Sequence, residues 1–181
     1  MGYGWEGKLI RLVPLDVDRH LANAQLWIND PEATEFLMAG DFPMTLLAER
    51  TWFDKASENT LNSITLAIET LGGKHIGFNS IDSINWRDGT AITGTFIGDC
   101  SAQGKGFGTD ATNVRSYIAF HVQGLRMLYS SVFSGNVRSQ KMLERAGYRV
   151  YGIKPASHWK RGRYVDETLL ALSREDWLAA Q

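Results

Sequence analysis

An alternating run of glycines constrains the fold of this chain more than any other stretch. It reads Gln103-Gly104-Lys105-Gly106-Phe107-Gly108-Thr109 and lies between a strand-like stretch at 91–98 and a helix-like stretch at 109–122. Glycines at every second position leave the backbone uncovered, so several N–H groups can point into one concavity at the helix start. The helix dipole and the charge of Lys105 favour an anion such as a diphosphate there. A tight strand-to-helix connection that binds nothing explains the run equally well.

Two familiar nucleotide motifs do not fit this run. Walker A requires a Lys followed directly by Ser or Thr after the last glycine, whereas Phe107 separates Lys105 from Gly108. The dinucleotide fingerprint also differs, because the glycines here are at alternate positions and no acid follows near residue 128. The sequence therefore argues against both of these nucleotide-binding classes.

Length and charge limit the class of protein. The chain has 181 residues, of which 44% are hydrophobic, and its net charge is −1. This length and composition are typical of one domain with a sizeable core, so we expect a single domain over 1–181. A nearly neutral chain without a basic stripe is not expected to bind nucleic acid.

Cysteine and histidine usage argues against disulfides and metal sites. Cys100 is the single cysteine, which excludes an internal disulfide and a cysteine-based zinc cluster, so a cytoplasmic location is predicted. The four histidines are scattered without ligand spacing, and we expect no metal. No apolar run is long enough to span a bilayer, and residues 1–6 lack the layout of a signal peptide, so we expect no membrane association.

The first third of the chain predicts one strand followed by helices. Residues 8–14 alternate polar and apolar side chains, as in a half-buried strand. Asp16 is the expected cap of a first helix, which ends before Pro31. A short helix is predicted over 34–38, and a longer one over about 43–57.

The remaining two-thirds predict a mixed sheet. Period-two alternation and glycine-rich turns indicate an antiparallel meander of three strands over 63–98. The strand at 127–133 is expected to lie parallel to the last of these, since strand–helix–strand crossovers are right-handed. The segments predicted after it are a helix at 136–146, strands at 148–153 and 164–172, and a loop between these strands that contains His158 and Trp159.

Several ordered motifs resemble those of a known enzyme superfamily. They read Ile81-Asp82-Ser83-Ile84-Asn85, Gly94-Thr95-Phe96-Ile97-Gly98, the glycine run, Asn136-Val137-Arg138-Ser139, Glu144-Arg145-Ala146-Gly147-Tyr148 and Gly162-Arg163-Tyr164-Val165-Asp166. Together they resemble the GNAT superfamily of N-acetyltransferases and, within it, the ribosomal-protein-alanine N-acetyltransferase branch. The stretches at 10–15 and 27–32 agree too, so the resemblance covers nearly the whole chain.

The resemblance implies a fold and a cofactor site. The fold is of the α/β (α+β) class, with a mixed, mostly antiparallel central sheet that splays at a parallel strand pair and is flanked by helices. Acetyl-CoA is the implied co-substrate, with its pantetheine arm in the gap between the splayed strands and its pyrophosphate on the glycine run. The residues implied to bind it are Phe96, Ile97, Gln103, Gly104, Lys105, Gly106, Phe107, Gly108, Thr109, Asn136, Ser139 and Lys141.

Acetyl transfer to an amine needs one group that takes a proton from the amine and one that supports the departing thiolate. Two positions that often supply such groups in the superfamily differ here, since Ile92 stands where Glu is common and Leu143 where Tyr is common. Some members of the branch carry Ser at the position of Ser139, which makes it the first choice for the thiolate. Asp82, at a strand end, and Asp166, in the last hairpin, are the candidates for the base or the amine-binding acid.

The resemblance implies an acetyl-CoA-dependent N-acetyltransferase that moves acetyl to a primary amine by direct attack in a ternary complex. Whether the acceptor is a protein N-terminus or a small-molecule amine stays open. Trp27 and Trp159 are expected to contact it, because the likeness places acceptor recognition in the first helices and the loop at 155–163. A homodimer is compatible with the likeness. The departures at Ile92 and Leu143 leave one alternative, a regulatory domain that binds acyl-CoA without catalysis.

Overall fold

The computed structural model describes residues 5–180, which form one sheet flanked by helices. The strands are β1 (Ile10–Pro14), β2 (Ile64–Thr70), β3 (His75–Asn85), β4 (Thr90–Ile97), β5 (Met127–Phe133), β6 (Arg149–Lys160) and β7 (Arg163–Ser173). The α-helices are α1 (Val17–Ile28), α2 (Leu46–Ser57), α3 (Phe107–Tyr117), α4 (Val137–Arg145) and α5 (Arg174–Ala179). A π-helical turn, Ile118–Val122, continues α3, and a 3₁₀ turn, Cys100–Ala102, precedes it. The prediction that no signal peptide is present rests on residues 1–6, of which 1–4 lie outside the described residues.

The sheet is mixed, with one parallel pair, as the sequence predicts. Its strand order is β1-β2-β3-β4-β5-β7-β6, and every pair except β4–β5 is antiparallel. β4 and β5 pair only from Thr90 to Ile92, opposite Met127 to Tyr129. The backbone ladder ends there. Thr93 Oγ1 still donates to the Tyr129 carbonyl and Ser130 Oγ to the Thr93 carbonyl, both at 3.0 Å, so the facing edges of the two strands are open from residue 94 onward. The predicted fold class is confirmed.

Two helices start at the capping residues that the sequence indicates, whereas one predicted short helix does not form. Asp16 caps α1 by accepting a hydrogen bond of 3.0 Å from the backbone N–H three residues on, and Thr45 caps α2 in the same way. The helix predicted over 34–38 is wrong, because these residues form turns. The Thr34 hydroxyl donates to the Asp30 carbonyl at 2.8 Å. A segment of five residues forms too few helical hydrogen bonds to offset the free-energy cost of helix nucleation, and tertiary contacts hold it instead.

The loop predicted between the last two strands is also wrong. β6 continues to Lys160 and β7 begins at Arg163, so only Arg161 and Gly162 form the turn. Both have positive φ, 47° and 87°, as two-residue hairpin turns require. A register shift in the outer half of β6 interrupts the alternation that marks a strand in the sequence.

Two apolar clusters cover the two faces of the sheet. The larger cluster packs α3 and α4 on one face and includes Ile118, Leu128 and Leu143. The smaller cluster packs α1 and α2 on the other face around Phe53 and Phe78. Among residues 5–180, no helix has both the length and the apolar character needed to cross a bilayer.

The tip of the β6–β7 hairpin binds the segment 31–41, which is part of the connection between α1 and α2. Lys160 Nζ lies 2.6 Å from the Asp41 carboxylate and donates to the Ala39 carbonyl at 3.2 Å. The Arg161 guanidinium donates to the Pro31 carbonyl at 2.9 Å. These contacts fix the 31–41 segment over the open end of the β4–β5 pair.

Candidate functional site

The glycine run forms one wall of a cleft at the open end of β4 and β5. The cleft has a volume of about 430 Å³ and is lined by Gln103, Gly104, Gly106, Gly108 and Thr109 of the run. Gly106 is the N-cap of α3, with φ at 89° and no side-chain capping bond. The first-turn N–H groups of α3 are therefore not capped by a side chain, which is the arrangement that binds phosphate at a helix start. The cleft fits a diphosphate.

Gly108 has a different task from Gly106. A Cβ atom at Gly108 would lie 2.6 Å from Met142 Sδ, so a side chain there would displace the Met142 side chain. Met142 also lines the cleft. The last glycine of the run therefore leaves room for Met142 at the wall of the cleft.

Two arginines of α4, rather than the predicted lysines, bring positive charge to the cleft. Arg138 and Arg145 line it, and the Arg138 guanidinium donates to Gln103 Oε1. Lys105 and Lys141 are exposed and do not line it. Residues 138 and 145 are seven apart, which is two helical turns, so their shared face was readable in the sequence.

Three more predicted cofactor residues line the cleft: Ile97, Asn136 and Ser139. The Asn136 side chain also caps α4, because its Oδ1 accepts a hydrogen bond from Ser139 N at 3.1 Å. Phe107 instead packs against the larger apolar cluster. Phe96 lies at a second cavity and does not line the cleft.

The second cavity adjoins the first and is larger, about 910 Å³. It lies between α2, the 31–41 segment and the middle of the sheet, and most of its lining is apolar. The residues that line both cavities are Phe36, Leu37, Thr95, Ser139 and Met142. The arrangement offers two ligands separate spaces that meet at these five side chains, which we name the junction.

Of the two hydroxyl side chains at the junction, only that of Ser139 is available. Thr95 Oγ1 accepts from Arg115 Nη1 at 2.7 Å and from Asn79 Nδ2 at 3.2 Å. Its proton then faces Thr112 Oγ1 at 3.1 Å, whose own proton is donated to a carbonyl. Ser139 Oγ has no hydrogen-bond partner among residues 5–180. A ligand atom at the junction therefore meets the Ser139 hydroxyl as a donor.

The two predicted carboxylates have different surroundings. Asp82 lines the larger cavity and accepts a hydrogen bond from Ser63 Oγ at 2.6 Å. Asp82 pairs in register with Ile92 on β4, so the two side chains lie on the same face of the sheet, and Ile92 lines the cavity too. Asp166 is exposed, lines neither cavity and accepts a hydrogen bond of 2.8 Å from Ala156 N across the β6–β7 hairpin. The structure brings Asp82, but not Asp166, to the same cavity as Ser139.

Three further acids in the larger cavity, Glu49, Glu58 and Glu167, are absent from the sequence predictions, and Glu58 is exposed. Glu49, on α2, is only 5% exposed, and burial raises the pKa of its carboxyl group. Burial opposes ionisation of Glu167 as well, but hydrogen bonds from Ser131 and His158 outweigh it and lower the pKa of Glu167. The spacing in the sequence could have indicated that Glu49 is buried, because it lies four residues before the buried Phe53 and therefore on the same face of α2.

The predicted aromatic contacts with the acceptor are not supported by the positions of the two tryptophans. Trp27 is 6% exposed and packs against the ring of His75, with centroids 4.7 Å apart. Trp159 is exposed and contacts Tyr164 on the β6–β7 hairpin. Neither lines a cavity. The thiol of Cys100 is no nucleophile candidate either, because burial and nearby carboxylates raise its pKa.

Comparisons with known proteins give a consistent family. Residues 9–149 match the acetyltransferase (GNAT) domain family. The L-methionine sulfoximine/L-methionine sulfone acetyltransferase of Pseudomonas paraeruginosa is 25% identical over 150 residues, which are 80% of this chain and 84% of that protein. The spermidine N-acetyltransferase of Vibrio cholerae, solved with CoA and spermine, superposes with a TM-score of 0.84 at 18% identity and covers 93% of this chain and 98% of its own.

A second solved structure supports the same fold. The microcin C7 self-immunity acetyltransferase, solved with acetyl-CoA and AMP, superposes with a TM-score of 0.79 at 18% identity. The superposition covers 92% of this chain and 93% of that one. At these identities the two solved structures establish the fold, and the family match covers most of the chain.

Proposed function

The chain belongs to the GNAT acetyltransferase family and is therefore an acetyl-CoA-dependent N-acetyltransferase, and we propose that it acetylates a primary amine bound in the larger cavity by direct attack in a ternary complex. The observation that carries this proposal is the junction. Two ligand spaces of about 430 and 910 Å³ meet there, so donor and acceptor can be bound together. Ordered side-by-side binding lowers the entropic cost of the reaction.

The smaller cavity is the proposed acetyl-CoA site. The first-turn N–H groups of α3 bind the diphosphate, and Arg138 and Arg145 add positive charge. The open edges of β4 and β5 accommodate the pantetheine arm, in line with Ile97 at the wall of the cleft. When bound, acetyl-CoA supplies the activated acetyl thioester.

Asp82 and Ser139 are the proposed proton-handling groups. Asp82 accepts a proton from the acceptor ammonium, directly or through one water, which frees the nitrogen lone pair for attack on the acetyl carbon. The carbon–sulfur bond then breaks, and Ser139 Oγ–H supports the departing sulfur, which takes the second nitrogen proton. Asp82 stands beside Ile92, the position where the superfamily often carries Glu, so the neighbouring strand supplies the carboxylate that β4 lacks.

The second acceptor class is a protein N-terminus, as in the ribosomal-protein-alanine branch. An α-amine has a pKa of about 7.7–8.0 and needs less help from a base than an alkylamine. Met38 and Trp52 line the larger cavity and are also exposed, so the cavity opens onto apolar surface of the kind that seats a peptide. The homodimer and the cytoplasmic location stay predictions of the sequence.

A single assay tests the proposed function. Release of free CoA from acetyl-CoA is measured against peptides with varied N-termini, alkylamines, diamines and amino acids, and products are identified by mass spectrometry. A product heavier by one acetyl group on one class supports the proposal and names the acceptor. Acetyl-CoA binding without turnover across the whole panel contradicts it and favours the regulatory alternative.

A further inference from the structure

Glu49 is the most buried charged side chain of the larger cavity. It is 5% exposed, whereas Lys55 and Glu58 are exposed and Asp82 and Glu167 are partly exposed. Its carboxylate has no hydrogen bond or ion pair with any residue in 5–180. A buried carboxylate without a partner is costly, and a positively charged ligand group beside Glu49 would offset that cost, because the described protein provides no counter-charge.

The other charged groups that face the cavity do not compensate Glu49. Asp82 is held by Ser63 and Glu167 by Ser131 and His158. Glu58 has the same sign as Glu49, and Lys55, which is exposed, forms no ion pair with it. Four carboxylates and one ammonium therefore line the space, and the excess stays negative even when Lys154, whose Nζ lies 3.8 Å from Glu167 Oε2, is included.

Glu49 also stands apart from the place where the chemistry occurs. The amine that reacts must reach the junction, and Glu49 is not one of the five junction residues. It belongs to α2, and the wall of the same cavity also includes the apolar side chains of Trp52, Phe78 and Met38. A volume of about 910 Å³ leaves room for an acceptor with a second functional group.

We propose that Glu49 binds a positively charged group of the acceptor other than the amine that is acetylated, so that the acceptor is a dibasic amine with an apolar spacer. This inference rests on the proposed function, because that function makes the larger cavity the acceptor space. An acceptor with a carboxylate group, such as an amino acid, is disfavoured because the wall offers it one exposed lysine against four acids.

Binding of such an acceptor has a measurable protonic consequence. Burial favours the protonated form of the Glu49 carboxyl group, and a bound ammonium favours its carboxylate form. Binding of a dibasic amine is therefore accompanied by proton release from Glu49 to the buffer wherever the free carboxyl group is protonated. A monoamine that occupies only the junction leaves Glu49 unchanged.

The test uses three amines of equal chain length and needs no acetyl-CoA turnover. Calorimetric titration of the full chain with cadaverine, pentylamine and 5-aminopentanoic acid, in two buffers of different ionisation enthalpy, reports affinity and proton release together. Cadaverine is expected to bind about 10- to 100-fold more tightly than pentylamine and to release protons. In the Glu49→Gln variant both differences should disappear, and in the Asp54→Asn variant, which changes an exposed acid of the same helix outside both cavities, both should persist.

Equal affinity for cadaverine and pentylamine in the wild-type protein would overturn the inference, whatever the variants do. Retention of the cadaverine preference and of proton release in Glu49→Gln would also overturn it. The proposed function fails separately: if cadaverine binds with the expected signature but neither it nor any other amine of the panel is acetylated, the Glu49 site stands and the acetyl-transfer proposal does not.

Discussion

Arg115 Nη1 donates a hydrogen bond to Thr95 Oγ1 across 2.7 Å, which joins α3 to the strand that borders both cavities. Arg115 is 1% exposed and has no carboxylate partner among residues 5–180. Its guanidinium instead donates to the Gly94 carbonyl at 2.8 Å and the Tyr148 hydroxyl at 3.1 Å, while its buried Nε has no partner among the described residues. A buried cation therefore braces β4 where the sheet opens.

Removal of this brace should destabilise the fold. Arg115→Met keeps much of the volume but removes the arginine donor from the Gly94 carbonyl and from the Thr95 and Tyr148 hydroxyl groups, so we expect a loss of about 3 kcal/mol in the free energy of unfolding. Tyr148→Phe removes one of the three contacts and should cost about 1 kcal/mol. Urea denaturation measures both, and a fully stable Arg115→Met variant would show that the brace is unnecessary.

Replacement of Ser139 should separate catalysis from binding. In Ser139→Ala the junction loses its available hydroxyl donor, so kcat should fall roughly 10- to 100-fold while the Kd for acetyl-CoA stays within about twofold. Ser101→Ala is the matched control, because Ser101 is exposed and bonds to Asp99 away from the junction. An unchanged kcat in Ser139→Ala would remove Ser139 from the mechanism.

The glycine at the α3 N-cap should be required for acetyl-CoA binding. Gly106→Val places a branched side chain at φ 89°, which costs about 1–3 kcal/mol of strain and shifts the N–H groups of the anion site. Gly124→Val suffers similar strain at φ 72° but lies outside both cavities. We expect a loss of acetyl-CoA affinity of at least tenfold in the first variant only, by calorimetry. Equal affinities in the two variants would refute the placement of the diphosphate.

The two aspartates should respond differently to the same change. Asp82→Asn removes the carboxylate at the larger cavity and should lower kcat/KM for an alkylamine roughly 100-fold. Asp166→Asn alters only a bond across the β6–β7 hairpin and should leave kcat/KM nearly unchanged. Steady-state kinetics with one acceptor decides between them, and the reverse ranking would make Asp166 the base.

Stability should depend on pH through His75. Burial, with the charge of the neighbouring His20, lowers the pKa of His75 to about 4 from its usual 6.5. The fold therefore favours neutral His75, and this stabilisation is complete above about pH 6.5 and is lost as pH falls through about 4. The loss is at most about 3 kcal/mol. Urea unfolding at neutral and acidic pH should show a smaller pH dependence for His75→Gln, and an equal dependence would contradict the assignment.

Regular patterns predicted most of the fold, and the failures have local causes. The glycine run, the period-two meander and the crossover rule together predict the parallel β4–β5 pair, which the structure confirms. The outer half of β6 escaped prediction because Ala156, with φ at 45°, lies in the stretch where its register shifts, and because Pro155 is tolerated only at a sheet edge. The helix over 34–38 failed because contacts with distant residues, invisible in the local pattern, hold that segment.

The candidate site was less predictable than the fold because its members come from separate elements. Backbone features can be read locally, and the glycine run does line the smaller cavity. The charged side chains that line the cleft are harder to predict from the sequence. Lys105 and Lys141 are exposed to solvent, whereas Arg138 and Arg145 line the cleft. Burial of Glu49 depends on how α2 packs over the sheet, which only the assembled structure reveals.

The fastening of the 31–41 segment by the β6–β7 hairpin has a consequence for synthesis on the ribosome. The bond from Lys160 to the Ala39 carbonyl spans 121 residues, whereas the smaller cavity uses no residue beyond Arg145. A nascent chain therefore contains every residue that lines the smaller cavity before the contacts of Lys160 and Arg161 with the 31–41 segment can form. Because that segment lines both cavities, neither acquires its fastened wall until the β6–β7 hairpin has been translated.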